Sequence, residues 1–144
     1  MAIVALDLGR RRIGIAVTDA ADRGAHPLGA LERHSVARDL DAVAAEFAGR
    51  EVTRVIVGLP LNMNGSEGPA ARMARAFAAR LAAKLAIAVE LFDERLTSFE
   101  AEERLGELRR EGLAIRRDRR KAMVDAIAAT VILEGWLEAR DQPR

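Results

Sequence analysis

Apolar runs and their spacing divide this chain into short elements. AIVALDL (residues 2–8) and IGIAV (13–17) read as strands, and Gly9 with three arginines between them suits a hairpin connection. A third strand is expected near 27–33, after the turn-like DAADRGAHP. In SVARDLDAVAAEFAGR, Val36, Leu40, Val43 and Phe47 recur at helical spacing, with Ser35 placed as N-cap and Gly49 as terminator. VTRVIVGL (52–59) is the β-branched run of a buried strand. PLNMNGSEGP has the composition of a loop; the Ala-rich stretch 70–85 predicts an amphipathic helix and IAVELF (87–92) a fifth strand. TSFEAEERLGELRREG predicts a helix opened by a capping box between Thr97 and Glu100. LAIRRD reads as a connector and 119–139 as the last helix.

The order β-β-β-α-β-α-β-α-α implies an α/β fold, a mixed five-stranded sheet with three antiparallel strands, then two parallel, and helices on its faces. At 144 residues and 50% apolar composition, one domain over 1–140 with a short tail at 141–144 is expected. No apolar run approaches the length of a membrane span, and no export signal is visible, so a cytoplasmic protein without membrane association is expected.

Acids interrupt this pattern at three places. Asp7 shares a strand face with Ile3 and Ala5, where a carboxylate needs hydrogen bonds, a cation or solvent. The pair Asp93-Glu94 directly follows the fifth strand, at the end of an α/β sheet where ligands usually bind. Asp125 interrupts AMVDAIAATVIL, a stretch otherwise uncharged from Ala122 to Leu133. Its helical neighbours include Ala122, Ala128 and Ala129, small enough to let the helix sit close to the sheet. Structural alternatives exist for each: a turn-forming Asp7, an acidic pair binding Arg95 or Arg120, and a buried ion pair at Asp125.

The chain has no cysteine, and His26 and His34 read as surface residues, so the ligand set available is oxygen only. Such a set suits Mg²⁺ or Mn²⁺, and paired ions of this kind activate water against a phosphodiester. Asp7 is then retained because it carries metal, with the arginines of the following turn beside it to meet phosphate. The net charge is only +1, but residues 104–121 hold eight basic and three acidic residues, so Arg120 and Lys121 belong to a local basic stretch that could guide a nucleic-acid backbone. Asn62 and Asn64 could contact phosphate or sugar, although their loop could equally be a simple strand-to-helix turn. Trp136 lies at core spacing with Leu133 and Leu137, and aromatic residues are 3% of the chain, which argues against a stacking platform.

Taken together and in order, DLGRRRIGIAVTD, VIVGLPLNMNGSEG, DERLTS and KAMVDAIAATVILEGWL resemble the YqgF family over essentially the whole chain. These are candidate pre-16S rRNA nucleases with an RNase H-like fold, also described as Holliday-junction-resolvase-like. The resemblance implies catalytic and metal-binding roles for Asp7, Glu94 and Asp125, and a nucleic-acid-binding role for Arg12, which matches the family's basic residue; Arg10 and Arg11 fill positions that vary in the family pattern. It implies a metal-dependent nuclease acting at the 5′ end of the 16S rRNA precursor. The alternatives are a resolvase of branched DNA, or a non-catalytic RNA-binding module whose acids are structural. One departure stands out: RNase H-like nucleases commonly carry a carboxylate at the end of the fourth strand, where this chain reads Gly58-Leu59-Pro60. An acid from the fifth strand would start two strand spacings, about 10 Å, from the first. The longer reach of glutamate therefore favours Glu94 over Asp93. Oligomeric state is not legible.

Overall fold

Both faces of the first strand are buried from Ala2 to Leu6, which explains the apolar run there. The computed structural model describes residues 1–18, 24–96, 103, 106, 107, 110 and 117–141. Strands β1 (Ala2–Leu8), β2 (Arg12–Thr18), β3 (Ala25–Glu32), β4 (Val52–Leu59) and β5 (Ala88–Asp93) form one sheet in the order β3-β2-β1-β4-β5. β1 pairs antiparallel with β2, and β2 with β3, whereas β1–β4 and β4–β5 are parallel. This is the mixed sheet expected from the element order, with β1 at its centre.

Helices α1 (Val36–Phe47) and α2 (Pro69–Leu85) belong with one face. There Leu40, Val43, Phe77 and Leu81 pack with Val4, Leu6, Ile13, Ile15, Val55 and Val57. The other face carries Ile3, Ala5, Ala16 and Ile56, covered by Ala129, Ile132, Leu133, Trp136 and Leu137 of α3 (Arg117–Asp141). Strand alternation therefore places Asp7 on the α3 face, beyond Ala5 at the C-terminal rim of β1. Trp136 is a core residue, as its spacing predicts. Ser35 caps α1, its side chain accepting from the Arg38 N–H at 3.2 Å.

Two elements start two residues earlier than the sequence reading places them. β3 begins at Ala25 and runs through Pro27, which an edge strand tolerates. Its ladder with β2 slips between Ile15–Gly29 and Ala16–Pro27, and Gly29 takes φ of 152° at that bulge. α3 begins at Arg117, two residues inside the expected connector. The helix expected over 97–112, with its Thr97–Glu100 capping box, lies outside the described residues apart from isolated positions. Among the described residues, no helix is long and apolar enough to cross a membrane.

Candidate active site

Asp7 is flanked in the sheet by two glycines. Gly14 stands directly opposite it in the β1–β2 ladder. Gly58 follows Val57, the β4 partner of Leu6, and so neighbours Asp7 on the other side. A Cβ at Gly14 would come within 2.0 Å of the Asp125 carbonyl oxygen, so the backbone of α3 rests against the sheet there. A Cβ at Gly58 would stand 2.6 Å from Glu94 Oε1 and 2.6 Å from Ile132 Cδ1. Each missing side chain thus admits one of the other two acids. Gly58 also accounts for the absent acid on the fourth strand: Glu94, in the 3₁₀ turn Glu94–Leu96 after β5, crosses the space above Gly58 to reach Asp7.

Asp7 and Glu94 share a hydrogen bond. Burial, and then the negative charge of Asp125, raise the Asp7 pKa above its ordinary value, partly offset by the hydrogen bond from Glu94. Glu94 is pushed up to about 7, first by burial and then by the charge of Asp7 and the hydrogen bond to it. Two desolvated carboxyls this close cannot both ionise cheaply, so Glu94 keeps the proton and donates it to Asp7.

Asp125 is turned the other way. Its Oδ2 accepts from Arg12 Nε, and both side chains are about seven-tenths buried, exposing 29% and 27% respectively. Among the described residues no group of three or more His, Asp or Glu stands ready to hold a metal ion. The expected three-carboxylate cluster is therefore a bonded pair with a third acid alongside. The physical reason is local: Arg12 and Gly14 share the α3 face of β2, so the guanidinium lies where Asp125 descends.

The adjacent Asp93 plays a different part. Its carboxylate accepts from the Arg95 backbone N–H at 2.9 Å and from Arg95 Nη2 at 2.9 Å, and these bonds hold its pKa below the usual range. Arg95 Nη1 also donates to the carbonyl of Met63 at 3.2 Å, tying the acidic turn to the loop after β4. Within that loop Asn62 Nδ2 donates to Ser66 Oγ at 3.0 Å, and Asn64 Oδ1 accepts from the Ser66 N–H at 3.0 Å. Both asparagines are exposed and shape the turn, and Gly68 stands at the N-cap of α2. Lys121 is exposed one turn before Asp125. The Arg120 side chain and most of 104–121 lie outside the described residues.

Sequence reading notes Gly58 as standing where a fourth-strand acid is expected, and leaves Gly14 and Arg33 without a role in the site. A glycine inside an otherwise β-branched strand signals close approach of another group, and VTRVIVGL carried that signal at Gly58. Arg33 carried none. Its side chain is largely covered by contacts distant along the chain, with Gly9, Met73 and Phe77.

A family model described as RuvX, Holliday junction resolvase, matches residues 1–139. A relative from Anaeromyxobacter sp. (strain K), named as a candidate pre-16S rRNA nuclease, is 54% identical over 140 residues, covering 97% of this chain and 98% of its own. One from Myxococcus xanthus with the same name is 43% identical over 143 residues, covering 99% and 91%. Among solved structures, Thermus thermophilus RuvC in complex with a Holliday junction substrate superposes with a TM-score of 0.63 at 15% identity, covering 97% of this chain and 95% of that one. Fowlpox virus resolvase with its Holliday junction DNA gives 0.58 at 12%, covering 99% and 100%. At those identities the likeness is one of fold, which is the RNase H-like resolvase fold.

Proposed function

We propose a reaction for this chain, which belongs to the RuvX (YqgF) family of Holliday-junction-resolvase-like nucleases: divalent-metal-dependent hydrolysis of phosphodiester bonds in the precursor of 16S rRNA, at its 5′ end and in the cytoplasm. The observation that carries the reading is the contact of Asp7 with Glu94 across Gly58, with Asp125 alongside. The names of relatives 43–54% identical over nearly the whole chain support RNA as the substrate.

The donor chemistry fits Mg²⁺ or Mn²⁺. All three side chains offer carboxylate oxygens, and the Asp7–Glu94 contact already crowds two of them around one proton. A cation replacing that proton relieves the repulsion that now keeps Glu94 protonated. Asp7 and Glu94 would hold it, with Asp125, oriented by Arg12, as the third ligand. Such an ion supplies Lewis-acid stabilisation of the phosphoryl oxygens and lowers the pKa of water. The protein's own residues do the remaining work. Gly14 and Gly58 set the spacing of the acids, Arg12 orients Asp125, and the bonded loop 60–68 forms a fixed wall beside them. Lys121, Asn62 and Asn64 are exposed for contact with the backbone of the substrate, and Arg120 belongs to the same basic stretch.

Branched DNA is the second reading, favoured by the description of the family model. Both are tested by incubating wild type and Asp7→Asn with a 16S rRNA precursor and a four-way DNA junction, in Mg²⁺ or Mn²⁺. Cleavage of the RNA by wild type, lost in Asp7→Asn without loss of fold, is the expected result. Junction cleavage alone would shift the substrate to DNA. Full turnover by Asp7→Asn, or RNA binding without metal binding or cleavage, would sink the reaction and favour a non-catalytic module.

A further inference from the structure

Three consecutive arginines leave β1, and the structure divides them. The Gly9 N–H donates to the Arg12 carbonyl at 2.9 Å, closing a tight connection in which Gly9, Arg10 and Arg11 lie between β1 and β2. Arg12 is back in β2 and paired with Asp125. Arg10 and Arg11 are exposed, and among the described residues neither makes an ion pair. Their turn begins two residues after Asp7, so these two cations stand at the rim that carries the acidic pair.

The turn is braced from behind. Arg33 donates from Nη1 to the Gly9 carbonyl at 3.1 Å, and its backbone N–H donates to the Arg11 carbonyl at 2.8 Å. Its Nε bonds Asp39 Oδ2 at 3.2 Å, and its guanidinium lies 5.9 Å from the Phe77 ring centroid. The backbone is thereby fixed while the two guanidinium heads project from it. A polyanion approaching Asp7 and Glu94 meets acid repulsion, which cations at the rim offset. Guanidinium groups also match phosphate oxygens with paired N–H donors.

We infer that Arg10 and Arg11 form a phosphate-contacting element for the nucleic-acid backbone entering the site, a role that Arg12, held by Asp125, does not share. This rests on the nuclease reading above. The ligand chemistry is the phosphodiester backbone, from RNA or DNA. The probes are a fluorescein-labelled single-stranded RNA and a four-way DNA junction, with binding measured by anisotropy in chelator across roughly 50–200 mM salt. The double variant R10A/R11A should fold as wild type and bind roughly tenfold more weakly at the low-salt end. Its plot of log affinity against log salt should flatten by about 1.4 on RNA and about 1.8 on DNA, the loss of two phosphate contacts. Arg80→Ala, which removes an exposed charge near the far end of α2, should keep the wild-type slope. The probe whose slope falls by its own two-contact value identifies which backbone the turn serves. An unchanged slope in R10A/R11A while wild type binds overturns the inference alone, as does an equal loss in Arg80→Ala. Failure of wild type to bind either probe overturns the inference together with the nuclease reading.

Discussion

Glu94 lies over Gly58: a methyl group at residue 58 would stand 2.6 Å from the Glu94 carboxyl oxygen. Carbon–oxygen contacts that short do not persist, so Gly58→Ala must push aside Glu94 and the Ile132 Cδ1 also 2.6 Å away. Both are ends of flexible side chains and can move. The expected outcome is a folded protein in which Glu94 no longer reaches Asp7. Mn²⁺ affinity by calorimetry should fall at least about tenfold, equivalent to about 1.4 kcal/mol. The melting temperature without metal should shift by only a few degrees. Unchanged Mn²⁺ binding would show that Gly58 does not set the position of Glu94.

Gly14→Ala should behave differently, because the obstacle is backbone. Its methyl would meet the Asp125 carbonyl oxygen at 2.0 Å and the carbonyl carbon at 2.5 Å. Relief requires the helix to lift from the sheet, disturbing Ala126 and Ala129, both buried. A loss of about 3 kcal/mol or more in urea unfolding is expected, with or without metal. Near wild-type stability would mean that α3 can slide outward at little cost.

Metal-free stability should depend on pH through Glu94. Its pKa rises from the ordinary 4.5 to about 7 on folding, so within that interval the folded chain binds more protons than the unfolded one. Stability therefore falls as pH rises from about 4.5 to about 7 and stops falling beyond it. Asp7, also raised, adds the same sign at the acid end. Glu94→Gln carries no titrating group and should flatten this part of the profile, measured as the wild-type minus variant difference in chelator. Parallel profiles for the two proteins would exclude the crowded-carboxyl picture.

How much of this was legible in the sequence depends on the range of the interaction that decides each feature. The strands at 2–8 and 52–59 and the helix capped by Ser35 follow from local periodicity and capping, and they stand where the pattern puts them. Pro27 obscured the start of β3, because its tolerance depends on β3 being an edge, which is a property of the sheet. The three acids were visible as breaks in apolar runs. Their mutual arrangement was not. Arg12 meets Asp125 across 113 residues of sequence, and Glu94 passes Gly58 only because β5 lies beside β4. Asp93 and Glu94 illustrate the limit most sharply. Adjacent and chemically alike, they differ in that one turns outward to Arg95 and the other inward to Asp7.

Arg33 provides the final prediction. With Asp39 it forms an ion pair exposing only 11% and 2% of the two side chains, and Asp39 also accepts from the His34 backbone N–H at 2.8 Å. Truncation to Arg33→Ala leaves a buried carboxylate with that one neutral donor, a loss of the kind that costs about 3 kcal/mol. It also removes the donor to the Gly9 carbonyl and the cation over Phe77. Arg33→Lys should recover only part of the loss, since an ammonium lacks the planar fork that serves Asp39 and Gly9 together. Adding Asp39→Asn to Arg33→Ala removes the stranded charge, so the double variant should be more stable than additivity of the two single changes predicts. Urea unfolding of the four proteins measures that coupling. A value within about 0.5 kcal/mol of zero, or an Arg33→Ala protein as stable as wild type, would mean that the turn bearing Arg10 and Arg11 holds its shape without this brace.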